Sequence, residues 1–186
     1  VLVTLLILYI VYENHTRNKE LLKYAQTDAL TGLYNKETTE QLTDELLSED
    51  ENKSHAFLIL DVDCFKQIND IYGHAVGDIV LQKFGKLLKG TFREGDILGR
   101  IGGDEFGVIM KNIQTKDIAM KKAEELLAKT QAYKIDELKG NNISISIGIS
   151  TAPQDGDCYM DLYKRADQAL YQAKRSGKAR VCNYFS

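Results

Sequence analysis

The chain is poor in cysteine: Cys64, Cys158 and Cys182 are its three, with no CxxC spacing among them. That excludes a disulfide framework and a cysteine-based zinc site, and it reads as ordinary reduced thiols in a cytosolic compartment. Positive charge is not in excess either. With 24 Lys and Arg against 27 Asp and Glu, the net charge is -3, and a chain without a basic footprint is not built for an extended nucleic-acid partner. There is no GxxxxGK[ST] stretch, so a P-loop NTPase is excluded. No internal repeat or low-complexity run interrupts the 186 residues, enough for one domain with a proper core and something added. An apolar run of the roughly 20 residues that span a bilayer is also missing. The nearest to it, Val1 to Tyr12, has Thr4 as its one clearly polar side chain and is followed by Arg17, Lys19 and Lys23. We read it as the C-terminal end of a transmembrane helix with the rest of the chain on the cytoplasmic side of the inner membrane. A helix buried against another domain is the alternative. Residues 13–26 are polar and helix-permissive, with Leu21, Leu22 and Ala25 as a short dimer seam, and read as a stalk.

The remaining residues, 27–186, read as one domain. Thr27 to Lys36 reads as a helix-loop-helix junction, in which Asp28 caps a turn, Gly32 breaks the helix, and Asn35 or Thr31 starts a helix running to about Ser48. His55 to Asp63 is continuously apolar at Ala56, Phe57, Leu58, Ile59 and Leu60, as expected of a central strand covered on both faces. Phe65 to Tyr72 reads as a short helix and Gly73 to Asp78 as a glycine-hinged loop opening a helix from Ile79 to about Phe92. Two hairpin arms follow, Ile97 to Arg100 and Phe106 to Met110. Then come an amphipathic helix over Thr115 to Thr130, an alternating strand over Asn142 to Thr151, a turn at Pro153 to Gly156, a helix over Met160 to Arg175, and a strand over Ala179 to Phe185. In the alternating strand Ser144, Ser146, Gly148 and Ser150 share a face that admits close packing. The order βααββαβαβ predicts an α+β fold with a mainly antiparallel central sheet flanked by helices, of the ferredoxin-like or palm type.

Two acidic pairs stand out. Asp104 and Glu105 sit on the turn Arg100-Ile-Gly-Gly-Asp-Glu-Phe106, where like charges repel unless a cation or proton intervenes. Asp61 and Asp63 lie two apart at a strand end and so leave on one side. Each pair alone reads as a solvated loop or a strand terminus. Side by side in one sheet they become four carboxylates with no basic residue among them, a hard-oxygen set suited to Mg²⁺ or Mn²⁺. Such ions serve phosphoryl or nucleotidyl transfer. Phosphates would be held by backbone N–H groups at the helix start near Cys64 and Phe65 and by Lys174 and Lys178. A base could be read by the Asn69 amide and the Asp78 carboxylate, which accepts from the N1–H and amine edge that guanine has and adenine lacks.

Six separated stretches together resemble the GGDEF domain of diguanylate cyclases, from about Thr27 to Phe185. They are Asp28-Ala-Leu-Thr-Gly-Leu-Tyr-Asn35, Asp61-Val-Asp-Cys-Phe-Lys-Gln-Ile-Asn69-Asp70, Gly73-His-Ala-Val-Gly-Asp78, Arg100-Ile-Gly-Gly-Asp-Glu-Phe106, Ser146-Ile-Gly-Ile-Ser150 and Tyr171-Gln-Ala-Lys174. The resemblance implies condensation of two GTP into cyclic di-GMP across a homodimer, each subunit holding one GTP. It implies metal ligation by Asp61, Glu105 and the Val62 carbonyl, with Asp104 at the metal and the 3'-hydroxyl as proton acceptor. Asn69 and Asp78 would read guanine, Phe65 and His74 would lie at the substrate, and Lys174 and Lys178 at the phosphates.

Arg93-Glu-Gly-Asp96 resembles the RxxD site at which cyclic di-GMP restrains such enzymes. The helix after the hairpin offers Lys121, Lys122, Glu124 and Glu125 where a second arginine is common, so product inhibition is expected to be weak. Lys36 and Lys178 stand where arginines are usual; lysine keeps the charge and loses the bidentate fork, and Arg180 is placed to compensate. The rival reading is a catalytically silent domain that senses GTP or cyclic di-GMP. A cyclase with a mononucleotide product is a third, and the Asn69 and Asp78 pair argues against it for ATP.

Overall fold

The unbroken apolar run at 56–60 becomes the middle of strand β1 (His55–Val62), buried along its whole length as a strand covered on both faces must be. The structure, a computed structural model, describes residues 4, 9–13, 17, 25–49 and 53–184. Around β1 the chain forms α1 (Lys36–Glu49), α2 (Phe65–Tyr72), α3 (His74–Thr91), β2 (Ile97–Arg100), β3 (Glu105–Met110), α4 (Lys116–Ala132), a 3₁₀ turn (Asp136–Leu138), β4 (Ile145–Ala152), α5 (Tyr159–Arg175) and β5 (Val181–Asn183). The strands lie in the order β2-β3-β1-β4-β5. All neighbours are antiparallel except β4 and β5. The expected α+β fold with a mainly antiparallel sheet is therefore the fold observed.

Alternation along β1 splits the core in two. Leu58 and Leu60 join Phe106 and Val108 under α3 and α4, while Phe57 and Ile59 join Ile109 under α1 and α5, with Leu46, Tyr159 and Leu162. The small-residue face of β4 seats α5. A Cβ on Gly148 would fall 2.1 Å from the Ala166 carbonyl oxygen and 2.3 Å from the Leu170 nitrogen, so only glycine lets helix backbone and strand come this close. The Ser150 hydroxyl adds a bond to Leu162 O at 2.8 Å.

Three expectations change. The helix expected to open at Ile79 starts at His74, because Gly73 (φ 85°, ψ 157°) alone makes the break, and its carbonyl already accepts from Val76 and Gly77. The last strand is shorter than expected, since Lys178 and Ala179 have φ of 62° and 48° and cannot be extended; Phe185 lies outside the described residues. The loop of the expected helix-loop-helix junction, between helical residues 25–26 and α1, is itself paired, bridging Thr27 to Tyr34 and Tyr34 to Gly99 and adding a small hairpin at the β2 edge. Within it Asp28 caps the turn at Thr31, Gly32 takes φ 64°, and Asn35 Oδ1 caps α1 by accepting from Thr38 N–H at 2.9 Å.

Most of the apolar run 1–12 and the seam residues Leu21 and Leu22 lie outside the described residues. The described positions before Gln26, among them Tyr9 to Glu13, are helical and exposed. Among the described residues no helix is long and apolar enough to cross a membrane.

Candidate active site

At one end of the sheet Asp61 of β1 stands directly across from Glu105 of β3 and Ser146 of β4. The turn from β2 to β3 is tight: Ile101 and Gly102 N–H both donate to Glu105 O, at 3.0 and 3.2 Å. An added Cβ at Gly102 would sit 2.9 Å from Glu105 Oε2, so a larger residue there would push the Glu105 carboxylate aside. Val62 N–H donates to Asp104 O at 3.2 Å, pinning the turn to β1. Arg100 closes the back of it, giving bonds to Gly103 O at 2.7 and 3.1 Å and to both Asp28 oxygens at 3.2 Å.

The four-carboxylate cluster is corrected in two ways. Lys174 of α5 stands among the acids, its Nζ 2.7 Å from Asp61 Oδ2. Asp63 leaves the group: it is buried, and it accepts from the Ser144 and Ser146 hydroxyls at 2.7 Å each and from Ala179 N–H at 3.1 Å. Three acids remain at the site, Asp61, Asp104 and Glu105. Burial pushes the Asp61 carboxyl up; Lys174 opposes this, and the charges of Asp104 and Glu105 add to it. Their oxygen-only donor set stays net negative after Lys174 is counted, which fits a hard divalent ion. Such an ion would offset the burial and repulsion that raise Asp61. The acids are not packed as tightly as Asp157, Cys158 and Asp161 at the opposite end of the sheet, whose ligand-type atoms lie within 4.8 Å of one another.

Beside the acids, α2 and α3 form a helical pair bent at Gly73. Asn69 of α2 rests on Gly77 of α3, where an added Cβ would fall 1.9 Å from Asn69 Oδ1 and 3.2 Å from Phe65 Cζ. Asp78 follows Gly77 and is exposed, as is His74. The four residues expected at the base and substrate are thus carried by one two-helix unit. A latch that sequence reasoning missed holds this unit from outside. The Tyr72 hydroxyl accepts from Asn141 Nδ2 at 2.7 Å and donates to Leu138 O at 3.4 Å, while Lys83 pairs with Glu137 at 2.7 Å. The partners lie more than fifty positions apart, so no local signal marks them.

The start of α2 faces the same end. Its first intrahelical donors are Gln67 and Ile68, both to Cys64 O, which leaves the Phe65 and Lys66 amides as orphan donors. Lys178 Nζ lies 3.1 Å from Cys64 Sγ over this helix start, and that contact raises the lysine pKa. Arg180, expected to compensate for Lys178, turns its Nε to Lys178 O at 3.1 Å. Lys36 is exposed at the start of α1.

Away from the acids, Arg93 and Asp96 lock the entry to β2 onto the exit of β3. The Asp96 carboxylate accepts from Arg93 N–H, Arg93 Nε and Lys111 N–H at 3.3, 3.1 and 3.1 Å, and Arg93 also donates to Lys111 O. A groove lined by Phe92, Arg93, Ile113, Ile118 and Lys122 runs alongside.

Residues 25–180 match the family model described as diguanylate cyclase, GGDEF domain. Diguanylate cyclase A of Treponema denticola is 37% identical over 170 residues, covering 88% of this chain and 46% of its own length. Response regulator PleD of Caulobacter vibrioides is 37% identical over 177 residues, covering 91% of this chain and 39% of its own. The chain thus spans about half or less of these relatives. The crystal structure of the coiled coil and GGDEF domain of DgcB from Caulobacter crescentus, in complex with c-di-GMP, superposes with a TM-score of 0.86 at 25% identity and 94% coverage of both chains.

Proposed function

The chain belongs to the GGDEF family, and on that premise we propose that it is a diguanylate cyclase joining two GTP into cyclic di-GMP with release of two pyrophosphates. The observation that carries the reading is Asp61 opposite Glu105 beside the Asp104 turn, with Asn69 and Asp78 presented by the adjoining helical pair. Asp61, Glu105 and the Val62 carbonyl hold the divalent ion, Mg²⁺ or Mn²⁺. What that ion supplies when bound is a polarised phosphoryl oxygen and a more acidic hydroxyl nucleophile. Asp104 stands at the turn tip to accept the 3'-hydroxyl proton. Asn69 and Asp78 select guanine, because a wrong base leaves their polar groups unpaired. The helix start at Phe65, with Lys174 and Lys178, holds the phosphates. One chain offers one such site, so the two hydroxyl attacks need a second copy facing the first, and the product is symmetric because the homodimer is.

The means of bringing two copies together we assign to residues 1–26, with 1–12 as the C-terminal end of a membrane span and 13–26 as a stalk ahead of a cytoplasmic catalytic domain, to be tested by fractionation of the native membrane. Cyclic di-GMP is also the ligand we assign to Arg93 and Asp96, with weak inhibition. The Asp96 carboxylate already accepts three internal bonds, and Lys122, the α4 cation that lines the adjoining groove, is paired with Glu125 at 2.9 Å. A silent sensor domain would be marked by loss of the acids or the base readers, and both sets are in place.

The test is incubation with GTP and Mg²⁺, wild type beside Glu105→Ala, with nucleotides separated by chromatography. Cyclic di-GMP and pyrophosphate are expected from the wild type, stopped by chelation and restored by Mg²⁺ or Mn²⁺. The variant should lose at least about 100-fold, since even groups that merely orient metal ligands are worth 10- to 100-fold. A dimeric wild type that binds GTP without turnover would sink the cyclase and promote the sensor.

A further inference from the structure

Asp63 is a buried carboxylate that the proposed chemistry does not use. Its three donors come from two places. The Ser144 and Ser146 hydroxyls lie on either side of Ile145, where β4 begins, and the Ala179 N–H belongs to the turn that follows α5. That turn is held in an unfavoured shape: Gly177, Lys178 and Ala179 have φ of 109°, 62° and 48°, three successive left-handed residues of which only the first is glycine. Two non-glycine residues in this region cost free energy and persist only where surrounding contacts over-determine them. The Asp63 bond is one such contact; Lys178 N–H to Ala173 O at 3.1 Å is another. Lys178 sits between these two ties, and its side chain runs to the start of α2, reaching Cys64 Sγ at 3.1 Å.

Resting on the cyclase reading above, we propose that Asp63 is a positioning residue for the phosphate chain of GTP: it fastens the 177–179 turn so that Lys178 is presented over the orphan amides of α2. Asp63 makes no contact with substrate or metal in this scheme. Its donors are two hydroxyls and an amide, so neither Lys178 nor Lys174 is bound to it. If the tie is lost, the turn can relax toward ordinary backbone angles and carry Lys178 away from the helix start. The guanine readers on α2 and α3 are held separately, so the loss falls on the phosphates alone.

The test measures binding, in the presence of Mg²⁺, of guanosine and of a GTP analogue with methylene in place of the α–β bridging oxygen, which cannot be turned over. Asp63→Asn is expected to weaken the analogue about tenfold, roughly 1.4 kcal/mol, and guanosine less than twofold. In a Lys178→Ala background Asp63→Asn should then cost the analogue nothing further. Parallel weakening of guanosine and analogue would overturn the proposal, as would a loss of undiminished size without Lys178. If Asp63→Asn does not fold, Ser144→Ala removes one donor at a half-buried position and should weaken the analogue two- to threefold with the same dependence on Lys178; an unchanged affinity there overturns the idea. A folded wild type that binds neither ligand overturns the cyclase reading, and this inference with it.

Discussion

Replacing Asp28 by Asn tests how the acidic turn is fastened to the segment that enters the domain. The Asp28 side chain, 22% exposed, faces Arg100, 17% exposed, with Nη1 3.2 Å from both carboxylate oxygens. It also accepts from the Thr31 hydroxyl and N–H at 2.7 and 2.9 Å. Burial works to raise this carboxyl, but the Thr31 bonds and the Arg100 charge together outweigh it and hold the group below its usual range. Asparagine keeps an acceptor for Thr31 and loses the charge facing Arg100. Hydrogen bonds to charged groups contribute about 1.5–3 kcal/mol; solvent screening at a partly open pair brings this down to about 1–2 kcal/mol. At roughly 2–4 °C per kcal/mol for a domain of this length, Tm should fall by about 2–8 °C at neutral pH. A folded-state pKa held low stabilises above the unfolded value of about 3.9, and the benefit fades as pH falls through the folded pKa. The gap between wild type and Asp28→Asn should therefore be full at pH 6 and close on acidification below about pH 4. Thermal melts followed by circular dichroism from pH 3 to 7 would read this. Two parallel curves with a constant offset, or no offset at all, would refute the electrostatic account of the turn.

Gly148→Ala should be the most destabilising change of a single methyl in β4. Its Cβ meets the backbone of Ala166 and Leu170, which cannot rotate away, so the cost belongs at about 3 kcal/mol, near the top of the overpacking range. A calorimetric Tm within 2 °C of wild type would contradict the seating of α5 described above. Gly77→Ala separates recognition from stability. Alanine favours the helix by about 1 kcal/mol, yet its Cβ would displace Asn69 Oδ1, so GTP kcat/KM should fall about tenfold while Tm changes little. Steady-state kinetics with unchanged kcat/KM would remove Asn69 from base recognition.

What was legible in the sequence and what was not divides by range. The apolar run at 56–60 announced a central strand, and the glycines of the turn announced a hairpin beside it, so the pairing of Asp61 with Glu105 followed from local pattern. The start of α3 did not, because His74 to Asp78 follows Gly73 and contains Gly77 and so reads as a turn; Gly77 instead lies within the helix, where it accepts Asn69 against it, a contact within a tertiary pair. Asp63 failed for a related reason. The rule that residues two apart share a face holds only while the strand lasts, and β1 ends at Val62, with Cys64 at φ 58° turning the chain. Serines 81 and 83 positions away then take its carboxylate.

The same division governs the chemistry, since a sequence displays charges and conceals their partners. Asp61 has Lys174, 113 positions on, and Asp63 has two hydroxyls and an amide. Each of these carboxylates is balanced inside the fold, though in different ways. On the cyclase proposal Asp61 would share its counter-charge with an approaching phosphate, because the Lys174 ammonium can move from one anion to the other. Asp63 shares nothing, because hydroxyl and amide donors carry no net charge to give away. A divalent ion at Asp61 would therefore release Lys174 toward the phosphates, so that metal and substrate bind cooperatively through one lysine. Lys174→Ala should accordingly bind metal alone more tightly than wild type and GTP more weakly, which metal titrations with and without nucleotide would read; weaker binding of both would assign the lysine to scaffolding instead.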